Sequence, residues 1–387
     1  MTTDDPRRLA VREWLAAHPE PSGRDLARAG YVVPHWPAPY GLDAEPEHQL
    51  LIDEELTAAG VRRPLNPIGI GWAAPTILVA GTAAQQDRFL WPALSGEEFW
   101  CQLFSEPDAG SDLASLTTRA ERDGDTYLVN GSKIWTTLAH HAQFGILLAR
   151  TDPHAERHRG ISYFLCPMDL AGITTRPVVD MTTARSFCEV FFEDVRLPAD
   201  LLVGEENDGW RLARATLANE RVSLSSGGAL WGAGPSARDL VALVRARGGL
   251  GDPVARQRLA GLYVEGEVLR LIQLRTLASR LAGRAPGPYA SVQKLLSDQH
   301  GQHVMELAKD LSRTDGMLAG SGPPGSLAPR ARSGPTEINF AADLVPGVDP
   351  VWHYGFLFSP ALTIGGGTWA VQRNIIGERV LGLPRDP

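Results

Sequence analysis

The sequence predicts an α+β protein in which a strand-rich middle is flanked by two helical parts. Residues 1–98 carry helix-spaced apolar positions broken by Pro/Gly clusters such as Val33-Pro34-His35-Trp36-Pro37. Residues 99–204 carry short apolar runs set off by Gly, Pro and Asp turns, and residues 205–387 return to helical spacing. Helix, strand, helix in that order is an α+β arrangement with a central β domain.

Each part can be justified in turn. Helices are predicted over residues 8–18, 45–59 and 82–94, the first starting after Asp4-Asp5-Pro6. Strands are predicted at 145–148, 161–166 and 190–192. Asn130-Gly131 carries the strongest two-residue hairpin signal, since both central residues of a type I′ turn need positive φ. A hairpin there would bring two polar clusters together, with the Trp135 indole beside hydroxyl and amide groups. Such a surface suits a flat heterocycle with a polar rim. Trp210, Ala213, Leu217 and Leu224 then share one helical stripe, residues 252–317 continue helical, 318–350 read as a Gly/Pro/Ala-rich loop, and a last helix spans 368–381.

Composition narrows the function classes. With 387 residues the chain has room for two or three domains, and its net charge of −8 argues against nucleic acid and anionic membrane surfaces. Its 43% hydrophobic and 21% charged residues are those of an ordinary globular enzyme. The three cysteines, Cys101, Cys166 and Cys188, have no CxxC spacing, so neither a disulfide framework nor a zinc site is expected. The N-terminus lacks the apolar core of a signal peptide, and no run of 18 apolar residues occurs, which makes the cytoplasm the expected location. Gly69-Ile70-Gly71-Trp72-Ala73-Ala74 imitates a dinucleotide fingerprint, but Arg63-Pro64-Leu65-Asn66-Pro67 precedes it where a strand is required. His300 and His303, three apart on a predicted helix, and the adjacent His140-His141 lack a completing ligand set and read as surface histidines. No GxSxG elbow is present.

Residues 100–137 carry the most specific signal. Ser105-Glu106-Pro107 with Ala109-Gly110-Ser111-Asp112, followed by Asn130-Gly131 and Lys133-Ile134-Trp135-Thr136-Thr137, resembles the paired signature of the acyl-CoA dehydrogenase flavoprotein family, in its actinobacterial FadE-like branch. The stretch from Phe187 to Pro198, the Val203-Gly204 to Gly209-Trp210 entry, and the closing Gly366-Gly367-Thr368 to Gln372-Arg373-Asn374-Ile375-Ile376 resemble further family segments, so the likeness covers essentially the whole chain. It implies an N-terminal all-α domain (1–98), a central β-barrel-like domain (99–204) and a C-terminal four-helix bundle (205–387).

The resemblance also implies FAD as cofactor. Gln102, Phe104, Ser105, Trp135 and Thr137 match residues around the isoalloxazine. Gly366, Gly367, Thr368 and Gln372 match the turn that meets the flavin pyrophosphate, where small residues let N–H groups approach phosphate at a helix N-terminus. Ser111 matches a position near the thioester's pantetheine. The implied reaction is α,β-dehydrogenation of an acyl-CoA or acyl-carrier-protein thioester, with an electron-transferring flavoprotein or similar acceptor and a homodimeric or homotetrameric assembly.

Such chemistry needs a carboxylate base, which works best where burial raises its pKa. Two positions compete. Glu220, in Asn219-Glu220-Arg221, matches the base position that some relatives place on the first helix of the bundle, with Arg221 as electrostatic support. Asp349 stands at about the spacing of the loop base used by other relatives, yet lies between Val348 and Pro350 in a turn-like context. Two departures keep a third reading open. Trp369-Ala370 replaces the family's Ser-Glu after the Gly-Gly-Thr turn, and Cys188 replaces its Asn. A chain so altered could be a base-deficient subunit of a heteromeric dehydrogenase, or could run a flavin oxidase or monooxygenase reaction on the same fold.

Overall fold

Helix formation at the N-terminus follows its caps. Asp5 accepts from the backbone of Arg7 to start α1 (Pro6–Ala17), and Ser22 and Asp25 form a capping box for the short α2 (Gly23–Arg28). Arg8 and Arg12 of α1 pair with Glu55, a buried carboxylate on α3 (Pro46–Ala58). The Gly69–Ala73 stretch is a π-helical turn running directly into α4 (Ala74–Ala80), so the imitation dinucleotide motif is helical. Thr82 and Gln85 cap α5 (Ala83–Ser95), and the Gln85 amide also donates to the Asp200 and Leu202 carbonyls at 2.6 and 2.8 Å. The computed structural model describes residues 5–224, 230, 234–281, 288–313 and 350–384.

The middle of the chain is a seven-stranded sheet. Its strands are β1 (Trp100–Leu103), β2 (Arg119–Asp123), β3 (Thr126–Thr137), β4 (Phe144–Arg150), β5 (Ile161–Pro167), β6 (Ile173–Val178) and β7 (Phe187–Pro198). The order is β1-β4-β2-β3-β7-β6, with β5 paired to β4. One core joins the N-terminal helices to the sheet through Phe89, Trp100, Phe104, Phe144 and Ile146; a second lies on the other side around Tyr127, Phe164, Val190 and Leu197.

The hairpin falls elsewhere than Asn130-Gly131. The two-residue loop is Gly124-Asp125, closed by the Asp123–Thr126 pair, with Gly124 at φ 62° where a Gly-first loop needs it. Asn130 and Gly131 instead lie inside the twelve-residue β3, at a register shift against β7. Gly131 uses its freedom (φ 147°) to let Thr118 approach, for an added Cβ would stand 2.7 Å from the Thr118 Cα. The Asn130 side chain grips Asp194, donating to its carboxylate at 3.1 Å and accepting from its backbone N–H at 2.9 Å.

Two units divide the chain: residues Met1–Val178 with Phe187–Leu217, and Val179–Ser186 with Ala218–Pro387. The second is helical and contains the end of α6 (Gly209–Leu224), then α7 (Ala237–Ala246), α8 (Pro253–Leu281), α9 (Tyr289–Leu311), α10 (Pro350–Phe358) and α11 (Trp369–Arg379). The α9 helix is its axis, packing against α7, α8, α10 and α11. Lys294 of α9 is fully buried and donates to Asp298 at 2.6 Å and to the Leu362 carbonyl at 3.0 Å. His300 is also buried (8% exposed), its ring 3.1 Å from Glu265, so only His303 of that pair faces solvent. Among the described residues no helix is long and apolar enough to cross a membrane, and no cluster of His, Cys, Asp or Glu could hold a metal ion.

Candidate active site

In the sheet-bearing unit, the ends of β1 and β3 carry the two signature motifs. Leaving β1, the chain places Phe104 edge-to-face on Tyr163, with ring centroids 6.1 Å apart. Ser105 follows, half-buried, and its carbonyl accepts from the Ile134 N–H at 2.9 Å. Beneath them the Lys133 ammonium, wholly buried, donates to the Phe104 carbonyl at 3.0 Å and to Glu106 at 2.8 Å. The Glu106 carboxylate also accepts from the Thr117 N–H (2.7 Å) and hydroxyl (2.8 Å) and from the Thr118 N–H (2.9 Å).

The electrostatics of this pair are opposed. Burial pushes the Glu106 carboxyl up, but Lys133 and the Thr117 and Thr118 donors outweigh it and bring it down to about 2. Burial pulls Lys133 down to about 8 despite the attraction of Glu106. At neutral pH the pair is ionised.

Two residues beyond Lys133, the strand turns Trp135 outward. Its φ is 60° and its indole is 57% exposed, touching the Phe187 ring edge-on at 5.9 Å. A tryptophan in the left-handed region with more than half of its surface exposed is unusual twice over. Thr137 pairs with Phe187 at the end of the strand, and the buried Thr136 hydroxyl between them has no partner. The structure thus joins Phe104 and Ser105 to Trp135 and Thr137 through adjoining backbone. Gln102 lies half-buried on β1, whereas Ser111 is exposed on the following loop with no bond to these residues among those described.

In the helical unit, the Gly-Gly-Thr turn opens α11. Gly366 and Gly367 take φ 69° and 94°, and Thr368 is the N-cap, accepting from the Val371 N–H at 3.4 Å. Gln372, wholly buried, ties the turn together by donating to both glycine carbonyls at 3.1 Å, while its own carbonyl oxygen finds no partner. The Trp369 indole N–H is likewise buried and unpartnered, and Arg373 lies 5.6 Å over its ring. Glycines at positive φ, helix N–H groups that lack intrahelical partners and orphaned buried polar atoms suit a dinucleotide's phosphates and rim. In the sheet-bearing unit, taken by itself, the exposed Trp135 indole suits a flavin ring. These residues fit FAD.

The proton-moving candidates are less complete. Glu220 lies on α6, 7% exposed, and belongs with the helical unit. The Arg221 side chain and the whole of Asp349 lie outside the described residues. Sequence reasoning missed the Glu106–Lys133 pair. Both residues stand inside the motifs, and Lys133 shares the inward parity of Tyr127 and Val129 on β3, a signal that marks it as buried.

Comparison with known proteins identifies the family. Models of the acyl-CoA dehydrogenase N-terminal, middle and C-terminal domains match residues 6–97, 101–195 and 207–338. The acyl-CoA dehydrogenase FadE34 of Mycobacterium tuberculosis is 42% identical over 97% of this chain, which spans only 48% of that relative's length. IpdE1 of the same organism is 39% identical, with 93% of this chain and 87% of IpdE1 covered. The structure of the ChsE4-ChsE5 complex from M. tuberculosis superposes with a TM-score of 0.74 at 30% identity, covering 100% of both chains. That of the Tcur3481-Tcur3483 steroid ACAD gives 0.75 at 26%, again over 100% of both. By its motifs, its fold and these relatives, the chain belongs to the acyl-CoA dehydrogenase family, in its actinobacterial FadE-like branch.

Proposed function

We propose that the chain catalyses α,β-dehydrogenation of an acyl-CoA thioester, with Glu220 taking the α-proton. FAD is the cofactor, and when bound it supplies the electron sink that accepts the β-hydrogen with its electron pair. Trp135, Thr137, Ser105, Phe104 and Gln102 hold the ring; Gly366, Gly367, Thr368 and Gln372 hold the pyrophosphate end. Ser111 serves the pantetheine arm, and Arg221 supports the ionised base. The observation that carries this reading is the joining of the two signature motifs into one surface that exposes the Trp135 indole. Glu220 suits a base because a carboxylate on a regular helix, 7% exposed, is shielded from water.

Anaerobic bleaching of the flavin band by a panel of acyl-CoA thioesters tests it. Bleaching in wild type that is lost in Glu220→Gln, with flavin content unchanged, supports the assignment; equal bleaching in wild type and Glu220→Gln refutes Glu220. Oxygen consumption without an added acceptor would support the oxidase or monooxygenase alternative.

One observation favours a second feature, a heteromer. The chain spans about half of FadE34, and a similar solved structure is named as a complex of two chains, ChsE4 and ChsE5. We propose that a second family chain completes the enzyme, that a steroid-bearing acyl group is the substrate class, as the Tcur3481-Tcur3483 name suggests, and that an electron-transferring flavoprotein is the acceptor. Flavin retention and bleaching by the chain alone, as a homo-oligomer, would refute the heteromer.

A further inference from the structure

Trp135 is the most strained feature of the ring surface, and its own packing does not explain it. A non-glycine residue at φ 60° persists only where its surroundings over-determine it. The Trp135 side chain is 57% exposed, and its ring contact is a T-shaped one with Phe187. What fixes it must therefore act through the backbone just before it.

That backbone is clamped. Lys133 stands where β3 slips register against β7, the shift lying between Lys133 and Thr136. Its ammonium reaches both the Phe104 carbonyl and Glu106, and the neighbouring Ile134 N–H reaches the Ser105 carbonyl. Through its carboxylate Glu106 adds Thr117 and Thr118 to the same knot. Segments 104–106, 117–118 and 133–134 are thus one piece, tied where the chain enters the bulge. We propose that Lys133 and Glu106 are positioning residues for the flavin ring: their buried pair fixes the bulge and so presents Trp135.

Stability alone is a poor explanation for the pair. Its two shifts run against each other, the burial of Lys133 opposing what Glu106 gains, and apolar residues can often replace such buried pairs at little cost. A Met–Gln replacement would fill the space. It would not supply a donor to the Phe104 carbonyl.

The inference rests on the reading of Trp135 as a ring contact, and its test separates the two. Full-length flavin-free wild type, Lys133→Arg, and the charge-neutral double variant Glu106→Gln/Lys133→Met are compared by amide exchange and FAD titration. In the double variant, exchange in 104–118 and 131–137 should quicken together by at least about tenfold while Ile161–Pro167 stays as in wild type. FAD affinity should fall by about tenfold to a hundredfold, the range that released left-handed strain spans. Lys133→Arg should keep both properties. Among the described residues Glu106 is the charged group acting on Lys133, so wild-type FAD affinity should also weaken as pH rises through about 8, while the arginine variant stays flat in that range. A folded double variant with wild-type exchange in 131–137 would overturn the clamp, as would a pH profile shared by wild type and Lys133→Arg. If Trp135→Leu binds FAD like wild type, the ring reading fails instead, whatever the exchange shows.

Discussion

Replacing Gly131 by alanine should be far more damaging than its place in a strand suggests. A Cβ there would stand 2.5 Å from the Thr118 hydroxyl, 2.7 Å from its Cα and 2.8 Å from its Cβ. The Cα belongs to a backbone segment whose N–H is already committed to Glu106, so it has little room to retreat. Overpacking of this kind costs ~1–3 kcal/mol, and alanine at φ 147° adds ~1–3 kcal/mol of backbone strain. Mid-range values give about 4 kcal/mol, or a fall in Tm of about 8–16 °C for a unit of about 200 residues. Gly124→Ala is the control. Its φ is also positive, at 62°, but nothing lies within 4 Å of the added Cβ, so strain alone, ~1 kcal/mol, remains. Scanning calorimetry and urea unfolding of the two variants side by side decide the matter. Equal losses at Gly131 and Gly124 would show that Thr118 yields freely and that the bulge is not held as described.

Three further outcomes follow from the same structure. Glu106 is held at about 2, below its unfolded 4.5, so its contribution is complete above about pH 4.5 and is lost as pH falls toward 2. The loss is ~3 kcal/mol, seen in urea unfolding across pH, and Glu106→Gln should flatten that acid limb. Asp298 behaves oppositely: burial raises it to about 6 against the pull of Lys294, so the folded state binds the extra proton and stability falls as pH rises from about 4 to 6. Asp298→Asn should remove that step, again ~3 kcal/mol, in the same assay. Gly71→Ala meets nothing within 4 Å and needs no positive φ, so it should leave stability unchanged or raise it by up to ~1 kcal/mol in thermal unfolding.

The strands and long helices were legible because burial imposes a period on neighbouring residues. β7 alternates: Cys188, Val190 and Phe192 point inward, and the parity resumes at Val195 and Leu197 after Asp194 takes φ 51°. The stripe Trp210, Ala213, Leu217 likewise marks α6. The hairpin was misplaced because positive-φ tolerance is shared by turns and bulges, and a local signal cannot say which is needed. Asp123-Gly124-Asp125 carried an equally good turn signal six residues upstream. Nor does sequence order reveal that Val179–Ser186, between two strands of one sheet, associates with the helical unit. Tyr354 of α10 shows it, its phenol raised by burial and by the nearby Asp180 charge and bonded to Thr182. Such contacts cross more than a hundred and fifty residues, and no period records them.

The site was legible as a set of motifs and illegible as a mechanism for holding them. Ser105, Trp135 and Thr137 were singled out because they match the family's motifs around the flavin ring. What ties their segments together is a lysine and a glutamate 27 positions apart. Strand parity marks Lys133 as buried, but nothing local pairs it with Glu106. An apolar pair could match their net stability, since the cost of burying Lys133 opposes what Glu106 gains. It could not hold a backbone carbonyl at one end and three Thr117 and Thr118 donors at the other. Where a buried charge pair contributes little to stability yet satisfies this many main-chain groups, geometry is the better account of its presence. Here the geometry is that of a strand bent to show one indole.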